Sequence, residues 1–352
     1  MSLKNLNVSN KTHKFLISQL KDKKIFQIYK QFENNLNLNQ DFIVAVSGGP
    51  DSLSLAFLAK CYSILNQVKF NYVVVDHKLR KESSIEANKV KKMLKKIGIN
   101  CKILVWRGKK PFSNIQSIAR NKRYSLLIKE CEKLKVKTIL LGHQMNDLHE
   151  NFFLRMSRGS GLKGLVSLGK ISEISDITLM RPLIEVQKNN LEKLALKIFK
   201  GFIKDPSNNN DNFARVKIRK ILHEFHKEGL DNKKIGLTIN NLKSANVALD
   251  FYTKKNISDN SIYEEKKATY FLNKNFFNNP DEVLLRSIGS ILQNLSGRYY
   301  APRSKKLKRL IYSINSKTKV IKTTLGGCLI KKVNETVIIH KEKLGKVKLS
   351  QK

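Results

Sequence analysis

From Phe42 onward the chain settles into a rhythm that few folds accommodate. Short apolar runs at Phe42–Val46, Phe70–Val75, Cys101–Trp106 and Thr138–Leu141 alternate with helical stretches at Pro50–Leu65, Ser84–Ile97, Asn114–Leu134 and Asp147–Met156. Strand and helix alternating at this spacing predict βαβ units: an α/β fold with a parallel sheet and helices on both faces. Ser83 and Glu86 read as a capping box opening the second of these helices.

Outside that segment the pattern loosens. Residues 1–40 read as a basic, partly helical N-terminal extension, with Phe15, Ile17, Leu20, Ile25, Ile28 and Phe32 at roughly helical spacing. Residues 41–210 form the predicted nucleotide-binding domain. Within it, Gly159, Gly161 and Gly164 form a loop, Arg181–Ile184 resembles a strand end, and Leu191–Phe199 is helical. Asp205–Asn210 is a turn-rich linker. A linking helix over 211–229 carries Ile218, Ile221, Leu222 and Phe225 as one apolar stripe. Residues 230–352 are a smaller, mixed C-terminal region, with a β-like tail around Lys319–His340 and a hairpin turn at Leu325-Gly326-Gly327.

Charge then points to a partner. Lys and Arg number 68 against 28 Asp and Glu, a formal net charge of +40. A surface of that sign attracts phosphate backbones. Codon bias explains part of the lysine count, because Lys, Asn and Ile are all abundant, but it does not explain why acidic residues are scarce. No window approaches the roughly 18 consecutive apolar residues of a membrane span, and Met1–Leu20 lacks a secretory signal's apolar core. Cys61, Cys101, Cys131 and Cys328 form no C-x-x-C pair. Together these features predict a cytoplasmic protein with no membrane partner.

The densest chemical signal is Val44-Ala45-Val46-Ser47-Gly48-Gly49-Pro50-Asp51-Ser52. A strand runs into two glycines, so the backbone can approach a ligand closely. Proline then opens a helix at the position where a missing N–H costs nothing. Helix dipole and N–H groups meet at Ser47–Ser52, a cradle for pyrophosphate. Asp51 would repel that phosphate unless Mg²⁺ sat between them, so its placement implies a metal–nucleotide complex. The bland alternative is an ordinary Gly-Gly turn. No G-x-x-x-x-G-K-[ST] occurs, which excludes a Walker-type loop.

Further segments follow in order: Val75-Asp76-His77-Lys78-Leu79-Arg80, Ala119-Arg120-Asn121-Lys122-Arg123-Tyr124 and Gly142-His143-Gln144-Met145-Asn146-Asp147-Leu148-His149-Glu150. Arg158-Gly159-Ser160-Gly161-Leu162-Lys163-Gly164-Leu165, Arg181-Pro182-Leu183 and Asp205-Pro206-Ser207-Asn208 complete the series. Across Asp41–Arg219 this ordered set resembles the tRNA(Ile)-lysidine synthetase family of the PP-loop ATP pyrophosphatase superfamily.

The resemblance implies a ligase using ATP and Mg²⁺. It would join free L-lysine to C2 of the wobble cytidine of a CAU-anticodon tRNA(Ile), through an adenylated cytidine, with pyrophosphate and AMP leaving. It implies ATP binding by Ser47, Gly48, Gly49, Pro50, Asp51 and Ser52, with Asp76, His77 and Arg80 beside the adenosine. Asp51, Asp147 and Glu150 become the expected catalytic carboxylates, with Asp51 and Asp147 as metal ligands. Arg120, Arg123, Arg158, Arg215 and Arg219 become the expected tRNA contacts. A lysine amine with pKa near ~10.4 must shed a proton before it attacks, and Asp147 and Glu150 share one helix face at i, i+3. A homodimer is left open.

Each residue also has a plainer reading: a helix-start Asp with a solvated Glu, a strand-end turn at Asp76, solvated arginines, or a helix stop at Gly159. The family usually reads His-His-x-Asp-Asp-Gln-x-Glu-Thr where this chain carries Gln144, Asn146, Leu148 and Asn151. That substitution leaves Asp147 as the better candidate for base or metal ligand. Two alternatives stand beside this reading. One is a PP-loop tRNA thiolase, disfavoured because catalytic cysteines in a C-x-x-C pair are missing. The other is a non-catalytic RNA-binding protein on the same scaffold.

Overall fold

A computed structural model describes residues 3–36, 40–80, 82–108, 115–174, 176–204, 214–298, 301–316 and 320–342. The chain divides into two units, Met1–Leu237 and Thr238–Lys352. The linker expected at Asp205–Asn210 lies outside the described residues, as does Asn114 at the expected start of the third βαβ helix.

The first unit is built on a six-stranded sheet: β1 (Phe42–Ala45), β2 (Phe70–Asp76), β3 (Cys101–Val105), β4 (Thr138–Leu141), β5 (Ile171–Ile174) and β6 (Ile177–Met180). Strand order is β3-β2-β1-β4-β6-β5, parallel throughout except for the β5–β6 pair at one edge. The strand end read at Arg181–Ile184 falls just past β6, residues 182–184 being turn, and β5, which alternates exposed and half-buried positions, has no counterpart in the sequence reading.

Side-chain alternation along β1 splits the core in two. Phe42 and Val44 join Leu53, Phe57, Val90 and Leu194 on one face. These come from α3 (Pro50–Asn66), α4 (Ser83–Lys96) and α8 (Lys188–Phe199). Ile43 joins Tyr124, Leu127 and Cys131 of α5 (Ile115–Leu134) on the other. Helices therefore cover both faces, as a buried parallel sheet requires. The N-terminal residues contribute to the same core. Leu16 of α1 (Leu3–Gln19), and Ile25, Tyr29, Phe32 and Leu36 of α2 (Lys23–Leu36), pack with the α3 side chains.

Two local expectations need correction. The Ser83/Glu86 capping box does not form: both the Ser83 and Ser84 hydroxyls donate to Asp76, at 2.8 and 2.6 Å, and Glu86 pairs with Arg80. A strand-end carboxylate offered a stronger acceptor than the helix's own start. On α9 (Ala214–Lys227) the buried residues are Val216, Ile218 and Leu222, whereas Ile221 and Phe225 are 45% and 38% exposed.

The second unit carries an antiparallel sheet, β7 (Ser261–Glu264), β8 (Thr269–Leu272), β9 (Val320–Leu325), β10 (Cys328–Val333) and β11 (Thr336–Lys341), ordered β7-β8-β11-β10-β9. Its core sets Ile330, Val337 and Ile339 against Leu284, Ile288 and Leu292 of α11 (Asp281–Ser296) and Leu307 and Leu310 of α12 (Ser304–Asn315). The expected hairpin turn is present: Gly326 and Gly327 adopt φ of 66° and 84°, the pair of left-handed residues that a type I′ turn demands. Between α9 and this sheet runs the long α10 (Asn232–Asn260). Among the described residues no helix is long and apolar enough to cross a membrane.

Candidate active site

The sheet order determines where a ligand can sit. From β1 the chain builds outward through β2 and β3 on one side, then returns to place β4 on the other. At such a switch point the loops leaving adjacent parallel strands diverge and open a crevice at their C-terminal ends. Two segments line it: Val46–Ser52 after β1 and Gly142–Gln144 after β4. They touch closely. A Cβ on Gly142 would lie 3.0 Å from both the Ser52 Cα and the Ser52 N, which are backbone atoms with nowhere to move.

The loop after β1 is organised by one hydroxyl. Ser52 Oγ accepts the Ser47 and Gly48 N–H groups, each at 3.1 Å, and donates to the Gly49 carbonyl at 3.0 Å. Gly48 sits at φ 90°, where a Cβ would meet Val90 Cγ2 at 2.4 Å. Its carbonyl receives the Ile203 N–H at 2.9 Å. The sequence reading treated all of Ser47–Ser52 as free donors. In the structure the Ser47 and Gly48 N–H groups are internally bonded. The N–H groups of Gly49, Asp51 and Ser52 have no partner in the helix ladder and stand at the positive end of α3.

Three expected carboxylates converge with one expected arginine. Asp51 lies in the first turn of α3, and its Oδ1 is buried with no hydrogen-bond partner. Burial, then the Asp147 charge, pushes its carboxyl up to about 7. Asp147 and Glu150 sit on α6 (Met145–Met156). Asp147 accepts the Gln144 N–H at 3.1 Å while Gln144 Oε1 accepts the Asn146 N–H at 2.6 Å, a reciprocal cap that anchors the helix start. Burial and the neighbouring Glu150 raise the Asp147 carboxyl despite that bond. Glu150, 3% exposed, receives Arg219 Nε at 2.6 Å and Nη2 at 3.3 Å. Arg219, expected as a phosphate contact, is thus held by a carboxylate.

A basic group borders the same edge. His143, directly after Gly142, is depressed to about 3 by burial and then by the charges of Arg181, Arg120, Arg215 and Arg123. His77 follows β2; its Nε2 accepts from Arg123 Nε at 3.2 Å, and burial with that guanidinium holds it at about 4. Arg120 lies 5.0 Å over the Tyr124 ring. Sequence reasoning had not singled out His143 or Arg181 as site residues, although both sit in the quoted motifs. Their signal was position, immediately after strands β4 and β6.

The remaining expected residues are placed less centrally. Asp76 is buried, and its carboxylate is spent on its own loop: Ser84, the Lys78 N–H and Ser83 all donate to it, outweighing burial and holding it low. Arg80 pairs with Glu86 at 3.0 Å. Arg158 is exposed past the end of α6, about 16 Å along the helix axis from Asp147 at 1.5 Å per residue. Gly159 takes φ 66° there, so the helix-stop reading of that glycine describes its backbone. Among the described residues no three His, Cys, Asp or Glu side chains gather as a metal cluster.

A parallel-dominated sheet with a glycine loop and a helix N-terminus at its switch point is the arrangement of nucleotide-binding α/β proteins, and within that class the PP-loop domain family matches residues 20–225. Relatives are similar over nearly the whole chain. A tRNA(Ile)-lysidine synthase of Wolbachia pipientis is 32% identical over 317 residues, 88% of this chain and 74% of that one. One of Rickettsia felis is 30% identical over 325 residues, covering 90% and 74%. The chain belongs to the tRNA(Ile)-lysidine synthase family. A solved U34-tRNA thiolase from Methanococcus maripaludis matches with a TM-score of 0.53 at 18% identity, covering 63% of this chain and 79% of that one, and shares the fold.

Proposed function

We propose that the protein ligates free L-lysine to C2 of the wobble cytidine in a CAU-anticodon tRNA(Ile), using ATP and releasing AMP and pyrophosphate. The observation that carries this reading is the convergence of Asp51, Asp147 and Glu150 beside the arginine-rich group around His143, with Arg215 acting on both Asp147 and His143. A polyanion and a nucleophilic amine each need one of these environments.

ATP's phosphates belong at the N-terminus of α3, against the Gly49, Asp51 and Ser52 N–H groups. Adenylation develops charge on the departing pyrophosphate, and the Ser52 hydroxyl, by bonding the Ser47 and Gly48 N–H groups, fixes the loop that carries the free donors so that they need no rearrangement to receive it. Arg120, Arg123 and Arg215 supply positive charge for the tRNA backbone. Asp51 and Asp147 suit a divalent cation. They are two mutually repelling carboxylates, and one has an unpartnered buried oxygen. Mg²⁺ held there would neutralise pyrophosphate charge. Asp147, with its raised carboxyl, is placed to orient the lysine amine and accept its proton. His143, held neutral by burial and then by the neighbouring guanidinium groups, adds no charge of its own to the anion side.

The cytoplasm is the proposed site of action. The test is mass spectrometry of the wobble nucleoside after incubating tRNA(Ile) with enzyme, ATP, Mg²⁺ and lysine. The expected product carries lysine's mass less one water, and it requires both lysine and ATP. Sulfur incorporation, or tRNA binding without any nucleoside change, would overturn the reading.

A further inference from the structure

We infer that His149 is a positioning residue for this reaction: its hydrogen bond to Asn232 sets the angle at which α6 presents Asp147 and Glu150. The inference rests on the functional reading above but has its own physical warrant. His149 is 2% exposed, two residues after Asp147 and one before Glu150. At 100° per residue it points about 200° away from Asp147, toward the opposite side of the helix. There its Nδ1 lies 3.2 Å from the Asn232 Oδ1, on the first residue of α10. An amide oxygen only accepts, so with the amide placed this way Nδ1 carries the proton and Nε2 is a lone pair.

That Nε2 is buried with no hydrogen-bond partner. A buried polar atom left unsatisfied costs folding free energy, a cost that leucine or phenylalanine at 149 would not incur. Stability alone therefore does not account for the imidazole. Geometry does. Among the described residues α6 is tied to α9 by Glu150 to Arg219 and by Phe153 to Phe225, with ring centroids 5.9 Å apart, at its start by the Met145 N–H to the Val186 carbonyl at 3.0 Å, and through Asn151 to Ser167 at 3.4 Å. The His149–Asn232 bond adds a tie to another element, α10, on the side of the helix away from Asp147. It therefore bears on how far α6 can turn about its own axis. His226 of α9 is the titratable group that acts on the ring.

The test uses full-length His149→Phe, His149→Gln and Asn232→Ala. His149→Phe keeps the volume and loses the donor. It should lower kcat for lysidine formation about tenfold, less than the about 10²-fold that a 1 Å misplacement can cost. The KM for ATP should change less than about twofold, and Tm should be equal or higher. His149→Gln, which can still donate to Asn232, should recover most of the rate. Amide hydrogen exchange within α6 should speed up alike in His149→Phe and Asn232→Ala, with no further gain in the double variant. An unchanged kcat in His149→Phe, a kcat loss matched by a fall in Tm, or unchanged α6 exchange would each overturn the inference. If the wild-type protein forms no lysidine, the functional reading fails, and the exchange measurement still decides whether the bond orders α6.

Discussion

Glu150 and Arg219 form a two-point ion pair, at 2.6 and 3.3 Å, in which the acid side chain is 4% exposed and the base 35%. The Asp147 and Asp51 charges also act on the same guanidinium. Removing one partner of such a pair strands a buried charge. Arg219→Ala should cost about 3 kcal/mol, toward the low end of the range for buried pairs because the arginine keeps some solvent. Urea unfolding would measure it, and a loss below about 1 kcal/mol would show that solvent already screens the pair.

The same pair divides the two arginines of α9. Sequence reasoning put both Arg215 and Arg219 on tRNA phosphate, whereas Arg215 is exposed and Arg219 is engaged. Arg215→Ala should reduce the salt slope of tRNA binding by about 0.7–0.9, the share of one phosphate contact. Arg219→Ala should leave that slope unchanged. Equal reductions in both variants would mean that tRNA pulls Arg219 off Glu150.

Asp51 sets a pH test with a definite sign. Its folded carboxyl sits near about 7, above the ordinary 3.8, so the folded state holds an extra proton between those values. Stability linked to Asp51 therefore falls as pH rises from about 4 to 7 and stays low above that. The depressed histidines act in the opposite sense below 6.5, but they are common to wild type and variant. Asp51→Asn should thus raise Tm at pH 8, with the gap closing toward pH 4. The same variant should abolish pyrophosphate release while tRNA affinity stays near wild type. Wild-type turnover in Asp51→Asn would remove Asp51 from the nucleotide site.

Asp147 is the expected proton acceptor. Asp147→Asn preserves an oxygen that can accept the Gln144 N–H, so the cap on α6 survives while the charge is lost. Single-turnover lysidine formation should drop by at least about 10²-fold, within the span typical of general bases. A drop below threefold, roughly, would shift the role to another group.

Gly142→Ala probes the crevice by shape alone. The new Cβ would press on the Ser52 backbone at 3.0 Å and push the α3 start away from β4. The KM for ATP should rise and kcat fall together. Gly236→Ala, which places its Cβ in open space on α10, serves as the control and should leave both unchanged. A silent Gly142→Ala would mean the two loops can separate without loss.

Most of the parallel sheet was legible because each strand from β1 to β4 is a short apolar run closed by a glycine, a helix start or a charged turn. β5 was not, since this edge strand alternates exposed and half-buried positions with no apolar run, and β6 was legible only as a strand end read at Arg181–Ile184, just past its last residue. The carboxylates Asp51, Asp147 and Glu150 were singled out through motif and spacing. Their pairing was not, because nothing in one dimension shows Arg219 reaching across 69 residues to Glu150. Asp76 shows the other limit: a strand-end aspartate reads the same whether it serves a ligand or, as here, three donors of its own loop.

The neutral histidines have a physiological corollary. His77 and His143 stay uncharged down to about 4 and 3. Charge along that rim thus comes from guanidinium groups, which keep their protons throughout the physiological range. The pull of the guanidinium groups themselves on an anion is then the same in a mildly acidified cell as in an alkaline one. Adjusting that part takes a change in ionic strength or a competing polyanion, and proton concentration enters the crevice through Asp51 instead.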